Sequence, residues 1–295
     1  MTDQPTSTSP AVFDTLVSAG QLAEALRSAT PPVVLDCSFE LTDLEAGRRL
    51  YEGGHIPGAQ HVHLEHDLSA PKTGRNGRHP LPSREDFART MARLGIGDDT
   101  QVVAYDNAGG MYAARLWWML RWAGHRAAAV LDGGLAAWQA AGGALSTQVP
   151  AAPAAGGFSL RPALVQTVGF DEVKANIEQP ERLVLDARAP DRFRGENETL
   201  DPIGGHIPGA RNRLFRDNLG ADGRFKPAAQ LRQEFDALTG GRPGTGLISQ
   251  CGSGVTACHN LLAMALAGLH GAALYPGSWS EWSAQPGAPI ATGAA

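Results

Sequence analysis

The chain has little cysteine, no long apolar run and no excess of positive charge, and each shortage removes a class of protein. Three cysteines, Cys37, Cys251 and Cys258, are too few in 295 residues for a disulfide framework. Any cysteine that matters therefore matters as a thiol, in a reducing compartment taken to be the cytoplasm. No apolar stretch approaches the roughly 18 residues that a membrane span needs. The start, MTDQPTSTSP, has neither the basic nor the apolar segment of a secretion signal. Lys and Arg number 25 against 30 Asp and Glu, a formal net charge of −5, which gives no reason to expect a nucleic-acid partner. With 43% hydrophobic and 19% charged residues the chain is not disordered in composition either. Its length is about twice that of a usual domain, so two domains are expected.

What the sequence does have is an internal repeat. GGHIPGA occurs at 53–59 and again at 204–210. Upstream of each is a short apolar run ending in aspartate, VVLD at 33–36 and LVLD at 183–186. Downstream, LDGGLAAW at 131–138 finds its counterpart in YPGSWSEW at 275–282. Three landmarks in one order at nearly one spacing mean duplicated domains, since the period is too long for a solenoid. STQVPAAPAAGG at 146–157 is rich in Ala, Pro and Gly and reads as a linker. The division is then an N-terminal domain over 1–145, a linker over 146–160 and a C-terminal domain over 161–295.

Within each copy, short apolar runs alternate with helical patterns. VVLD, VVAY (102–105) and AAVL (128–131) read as buried strands of the first copy, and 112–122 as a helix stopped by Gly124. The second copy repeats this with LVLD, GLIS (246–249) and AALY (272–275), and a helix from about 255 to 267. Alternating strand and helix implies a parallel sheet flanked by helices. The fold class is α/β, twice over.

Ligands of such sheets bind where strands lead into helices. The second copy places CGSGVT there, with Cys251 between the strand and the helix. Gly252 and Gly254 let the backbone turn tightly, so that successive N–H groups can point at one anion. The helix N-terminus adds partial positive charge, which favours a charged sulfur. The matching slot of the first copy holds Asp106, to within one residue of spacing. A carboxylate is a poor sulfur nucleophile, so one active site per chain is expected, with the first copy as a wall of its cleft. A tyrosine phosphatase loop would need an Arg six residues after its cysteine, where this chain has Ala257. A papain-like hydrolase would need a His base bonded to the cysteine, on a different architecture. Transfer of a soft electrophile, sulfur above all, is what remains.

CGSGVTACH, the paired HIPGA motifs and RFRG at 192–195 together resemble the two-domain rhodanese superfamily, and the 3-mercaptopyruvate sulfurtransferases in particular, over about 33–282. The resemblance implies two tandem rhodanese-like domains, the second catalytic, and a ping-pong reaction without a cofactor or metal. Cys251 would take sulfur from a small-molecule donor as a persulfide and pass it to a thiol, cyanide or a thioredoxin-like acceptor. Backbone N–H groups from Gly252 through Gly254 and Val255 to Thr256 would hold the charged persulfide. Arg192 falls on the family's substrate-anion arginine, and Ser253 and His55 on a serine and histidine proposed to relay a proton. Thiosulfate-type relatives carry basic residues just after the cysteine. Gly252 and Ser253 are neutral, which favours 3-mercaptopyruvate, whereas the second Arg usual nine residues after the first is here Asp201. Thiosulfate as donor, or a persulfide carrier without turnover, are the alternatives.

Other residues have plainer readings. Cys258 lies one helical stretch, about 10 Å, beyond Cys251, too far for a disulfide, and with Cys37 reads as a buried small hydrophobe. His61, His63 and His66 in HVHLEH have no counterpart in RNRLFRD of the second copy and read as surface histidines. Trp117, Trp118 and Trp122 are at helical spacing and read as core and interface packing.

Overall fold

The structure is a computed structural model that describes residues 12–294. Two five-stranded sheets, all neighbours parallel, are built alike. The first is ordered β1-β5-β4-β2-β3, from β1 (Leu16–Val17), β2 (Val33–Asp36), β3 (Gln60–His61), β4 (Val102–Tyr105) and β5 (Ala128–Leu131). The second is ordered β6-β10-β9-β7-β8, from β6 (Gln166–Thr167), β7 (Leu183–Asp186), β8 (Arg211–Asn212), β9 (Leu247–Gln250) and β10 (Ala273–Leu274). The registers agree residue for residue: Asp36 lies beside Tyr105 in one sheet and Asp186 beside Gln250 in the other. The central strands are continuous apolar runs because helices cover both faces. The outermost strands are two residues long, too short for the apolar pattern to reveal.

The long helix after each central strand, Met111–Trp122 and Thr256–Leu266, is buried nearly all round. Each covers its own sheet with one face and packs against the other with the opposite face, so neither has a polar side. Leu116, Trp117, Met119 and Leu120 share one hydrophobic cluster with Leu261, Leu262 and Met264, continuous across both sheets. At about 1.5–3 kcal/mol for each fully buried large side chain, this seam holds the two domains as one body. Residues 147–163 have no helix or strand and run along the first domain, with N–H groups of Gly156 and Arg161 donating to the carbonyls of Ala92 and Ala123.

Two buried polar groups sit in the seam. Arg115 is fully buried, and its guanidinium donates to the carbonyls of Gly254 (3.2 Å) and His79 (3.1 Å), tying the two domains together. His259 faces the Gly109 carbonyl at 3.1 Å and stacks on Phe225.

Asp106 and Cys251 occupy equivalent places without any offset: each directly follows the central strand and stands five residues before the first residue of the long helix. In the first domain the loop closes on the carboxylate. Asp106 Oδ1 accepts from the N–H groups of Ala108 (2.7 Å) and Gly110 (2.8 Å), and Oδ2 from Tyr112 (2.8 Å) and Ala113 (2.9 Å). The first copy thus keeps an anion cradle and fills it with its own side chain. Asp106→Ala would leave these amides buried and unpaired and should lower the unfolding free energy by about 2–4 kcal/mol. Urea denaturation measures this; a loss below about 1 kcal/mol would mean that the amides have other partners.

Candidate active site

In the second domain the same loop closes on sulfur. Cys251 Sγ accepts from the N–H of Gly254 at 3.1 Å and of Ser253 at 3.4 Å. Gly254 has φ +76°, and a Cβ there would stand 2.5 Å from the Pro276 carbonyl oxygen, so only glycine closes this turn. The segment after β10 braces the loop from behind. The Cys251 N–H donates to Ser278 Oγ (3.1 Å), and the N–H groups of Trp279 and Ser280 donate to the carbonyls of Cys251 and Gly252. Ser278 is the one non-glycine residue with positive φ among the described residues, at +53°. That strained conformation turns its hydroxyl between the Cys251 N–H and the Tyr275 carbonyl.

Cys251 is 2% exposed and lines a cavity of about 350 Å³ between the domains. Gly252, Ser253, Val255, Thr256 and Arg192 line it too, so the structure brings these sequence-predicted residues together around the sulfur; Gly254 lies beneath it. The first domain contributes Phe39, Tyr112, Arg78 and His79.

His55 is not among them. Its ring is fully buried in the first domain, with Nδ1 2.7 Å from the Tyr51 carbonyl and Nε2 3.2 Å from that of Gln148, stacked on Tyr51 at 4.0 Å. The equivalent His206 does the same, with Nδ1 2.9 Å from the Phe193 carbonyl and its ring on Phe193. The HIPGA histidine is a turn lock in both copies, and this corrects the assignment of His55 to the site. The histidine that meets Ser253 is His79, with Nδ1 2.8 Å from the serine Oγ. Its Nε2 faces the Glu65 carboxylate at 3.5 Å, and Glu65 is held by Lys72 at 2.7 Å. Burial, followed by the charges of Arg115, Arg78 and Lys72, pushes the His79 pKa down to about 3, so the ring is neutral at physiological pH.

The cationic side of the cavity is a network. Arg192 Nη2 pairs with Glu198 (2.8 Å) and Asp201 (3.1 Å). Arg188 pairs with Asp186 (2.6 Å) and Glu198 (3.4 Å) and lies over Trp279. Arg78 reaches Asp201 from the first domain at 2.8 Å. The other thiols are remote from chemistry: Cys258 is buried, donates to the Gly254 carbonyl and has its pKa pushed up to about 12 by burial, and burial raises that of Cys37. His61 and His63 have carbonyl partners at Ser38 and Leu44, and no group of three or more metal-binding side chains occurs among the described residues.

A duplicated parallel sheet with a cysteine loop closed on sulfur at the end of its central strand defines a class, and comparison with known proteins gives the same one. The rhodanese-like domain model matches twice, over residues 18–141 and 170–285. The chain belongs to the rhodanese family in its two-domain form. It is 50% identical over 280 residues to the Pseudomonas aeruginosa protein named probable 3-mercaptopyruvate sulfurtransferase, covering 94% of this chain and 98% of that one. The human 3-mercaptopyruvate sulfurtransferase is 40% identical over 287 residues, 93% of each chain. The crystal structure of a 3-mercaptopyruvate sulfotransferase from Escherichia coli superposes with a TM-score of 0.78 at 30% identity, over 90% of this chain and 98% of that one.

The buried histidines set an acid limb of stability. Burial also pushes the His259 pKa down to about 4. Folded, His79 and His259 stay unprotonated to about 3 and about 4, whereas unfolded each binds a proton near 6.5. Between those values the unfolded chain holds more protons, so stability rises with pH across this window. The unfolding free energy should fall from pH 6.5 to 4 by up to about 1.4 kcal/mol per pH unit for each histidine. Urea unfolding at stepped pH should give a shallower slope for His259→Gln; an identical slope would contradict the assignment.

Proposed function

We propose that this sulfurtransferase takes sulfur from 3-mercaptopyruvate onto Cys251 and hands the persulfide sulfur to a small thiol, cyanide or a thioredoxin-like protein. The observation that carries this reading is Ser253 Oγ, hydrogen-bonded to a neutral His79 two residues from the amide-held sulfur. The Cys251 thiolate attacks the donor thiol sulfur. The new S–S bond forms as the C–S bond breaks, and that electron pair leaves on the three-carbon fragment as the enolate of pyruvate. The enolate carbon must gain a proton and the new persulfide must lose one. A hydroxyl on a neutral imidazole can do both, with Nε2 turned to Glu65 and Nδ1 to Ser253. The amides of Ser253 and Gly254 stabilise the persulfide anion once formed, and Arg192 binds the donor carboxylate.

Thiosulfate is the second reading, since its leaving group, sulfite, departs as an anion and needs no proton. Intact-mass measurement after mixing with 3-mercaptopyruvate should show one added sulfur, absent in Cys251→Ser. Steady-state kinetics with each donor should favour 3-mercaptopyruvate in kcat/KM, and a tenfold advantage for thiosulfate would reverse the assignment.

The relay has its own test. Ser253→Ala should lower kcat with 3-mercaptopyruvate about 100-fold while changing turnover of thiosulfate by less than about fivefold. Equal losses with both donors would mean that Ser253 only shapes the loop.

A further inference from the structure

The ion-pair network of the cavity leaves one cation out. Arg78, Arg188 and Arg192 are each paired with buried carboxylates, and the Arg192 side chain is only 18% exposed. Arg216 lines the same cavity, is exposed, and forms neither a salt bridge nor a side-chain hydrogen bond among the described residues. Its guanidinium lies over the Phe215 ring, 5.5 Å from the centroid. Asp217, the next residue, is not part of the cavity wall. The element that carries Arg216 is a short 3-10 helix, Phe215–Asn218, and it is pinned at both ends. The Phe215 N–H donates to the Ala187 carbonyl (3.2 Å), and the buried Asn218 amide donates to Asn260 Oδ1 (2.6 Å) in the helix that follows Cys251. Arg213 closes on Asn218 Oδ1 from the other side (3.1 Å). A fixed backbone therefore presents a free cation at the outer rim of the cavity.

We propose that Arg216 is an acceptor-binding residue of the second half-reaction, and that the small acceptors it selects are thiols carrying a carboxylate. The inference rests on the persulfide reading of Cys251 and not on the choice of donor. In the loaded enzyme the transferable sulfur stands about 2 Å beyond Cys251 Sγ, one S–S bond further into the cavity. An acceptor thiol attacks that outer sulfur roughly in line with the bond it breaks, and so comes from the side away from Sγ. The new S–S bond forms to the acceptor and the old one breaks. Its electron pair returns to Sγ, where the amides of Ser253 and Gly254 hold the thiolate. The thiol proton leaves on the outer sulfur, so the product is the persulfide of the acceptor. The body of the acceptor stays nearer the mouth than the donor did, beyond the deeper Arg192. A carboxylate there meets Arg216, whose guanidinium is shielded from water on one face by an aromatic ring.

The test isolates sulfur delivery. Enzyme loaded with sulfur and freed of donor is mixed with 3-mercaptopropionate, 2-mercaptoethanol or 2-aminoethanethiol, and loss of the Cys251 persulfide is followed by intact mass. Each acceptor is compared with itself between variants, so differences in thiol acidity cancel. Arg216→Ala should lower the second-order rate constant for 3-mercaptopropionate about 3- to 10-fold, the loss of one charge-assisted contact at an exposed site. The constant for 2-mercaptoethanol should change by less than about twofold. Arg216→Glu should lower the first constant further and raise that for the cationic 2-aminoethanethiol by about twofold or more, a reversal that a disturbed loop would not produce. Equal losses with all three acceptors, or a change below about threefold for 3-mercaptopropionate in Arg216→Ala, would overturn the acceptor site while leaving the sulfurtransferase reading intact. Failure of the unsubstituted enzyme to gain sulfur from either 3-mercaptopyruvate or thiosulfate would instead sink the persulfide reading, and the acceptor site with it.

Discussion

Backbone amides turned inward at the end of a parallel strand must find an acceptor, and the arrangement of this molecule follows from what fills that place. The first domain satisfies its loop with four hydrogen bonds to Asp106, whose carboxylate is fixed and spent. The second satisfies its loop with the sulfur of Cys251, which accepts from two N–H groups and faces a cavity. Backbone geometry is shared and the filler differs. A hard carboxylate with every lone pair directed at an amide is a structural plug, whereas a polarisable sulfur with an open side is a nucleophile. The loop's cost is visible in the residues that brace it, a glycine that cannot be replaced at 254 and a serine held at positive φ at 278.

The second consequence is that the site cannot belong to one domain. Its sulfur and Arg192 come from the C-terminal half, His79 and Arg78 from the N-terminal half, and Arg115 ties the carbonyls of His79 and Gly254 to one guanidinium. A site divided in this way is useful only if the halves do not drift, because an ångström of misplacement costs orders of magnitude in rate. The continuous hydrophobic cluster under the seam supplies that rigidity. The inert first domain is therefore more than a wall: it delivers the neutral imidazole and a cation to chemistry that its own loop has forgone.

Much of this was legible in the residues. Short apolar runs located the inner strands to within a residue at each end, since burial on both faces leaves few polar positions to blur them. Cys251 stood out because a thiol between strand and helix in a glycine-rich turn has few structural uses. The edge strands were not legible, because two residues carry no period. His79 was not legible either, and the reason is instructive. His55 and His206 drew attention by repeating, but repetition reports what each copy needs in order to fold, here a ring stacked on Tyr51 or Phe193. A proton relay needed once per molecule has no reason to repeat. His79 sits in a stretch without helix or strand, and only the folded chain brings it to a serine 174 positions away. Its lack of a counterpart was the one available signal.

The charge balance of the cavity bears on the donor. Arg78, Arg188 and Arg192 are matched by Asp186, Glu198 and Asp201, three against three, in one connected network. His79 is neutral. Arg216, at the cavity wall, forms no salt bridge among the described residues and lies over the ring of Phe215. Set against the Cys251 thiolate that attacks the donor, this exposed arginine leaves the site near neutral before any ligand enters. A keto acid with a single carboxylate adds only one negative charge and leaves the amides free for the sulfur. A dianionic donor would place a surplus negative charge beside a sulfur that must itself become anionic, in a cavity walled by Phe39, Leu214 and Phe215 where screening is weak. Asp201, which at first sight weakens the case for a carboxylate donor, therefore fits it: by cancelling one of the arginines, it leaves the cavity less able to take a dianion than a monoanion.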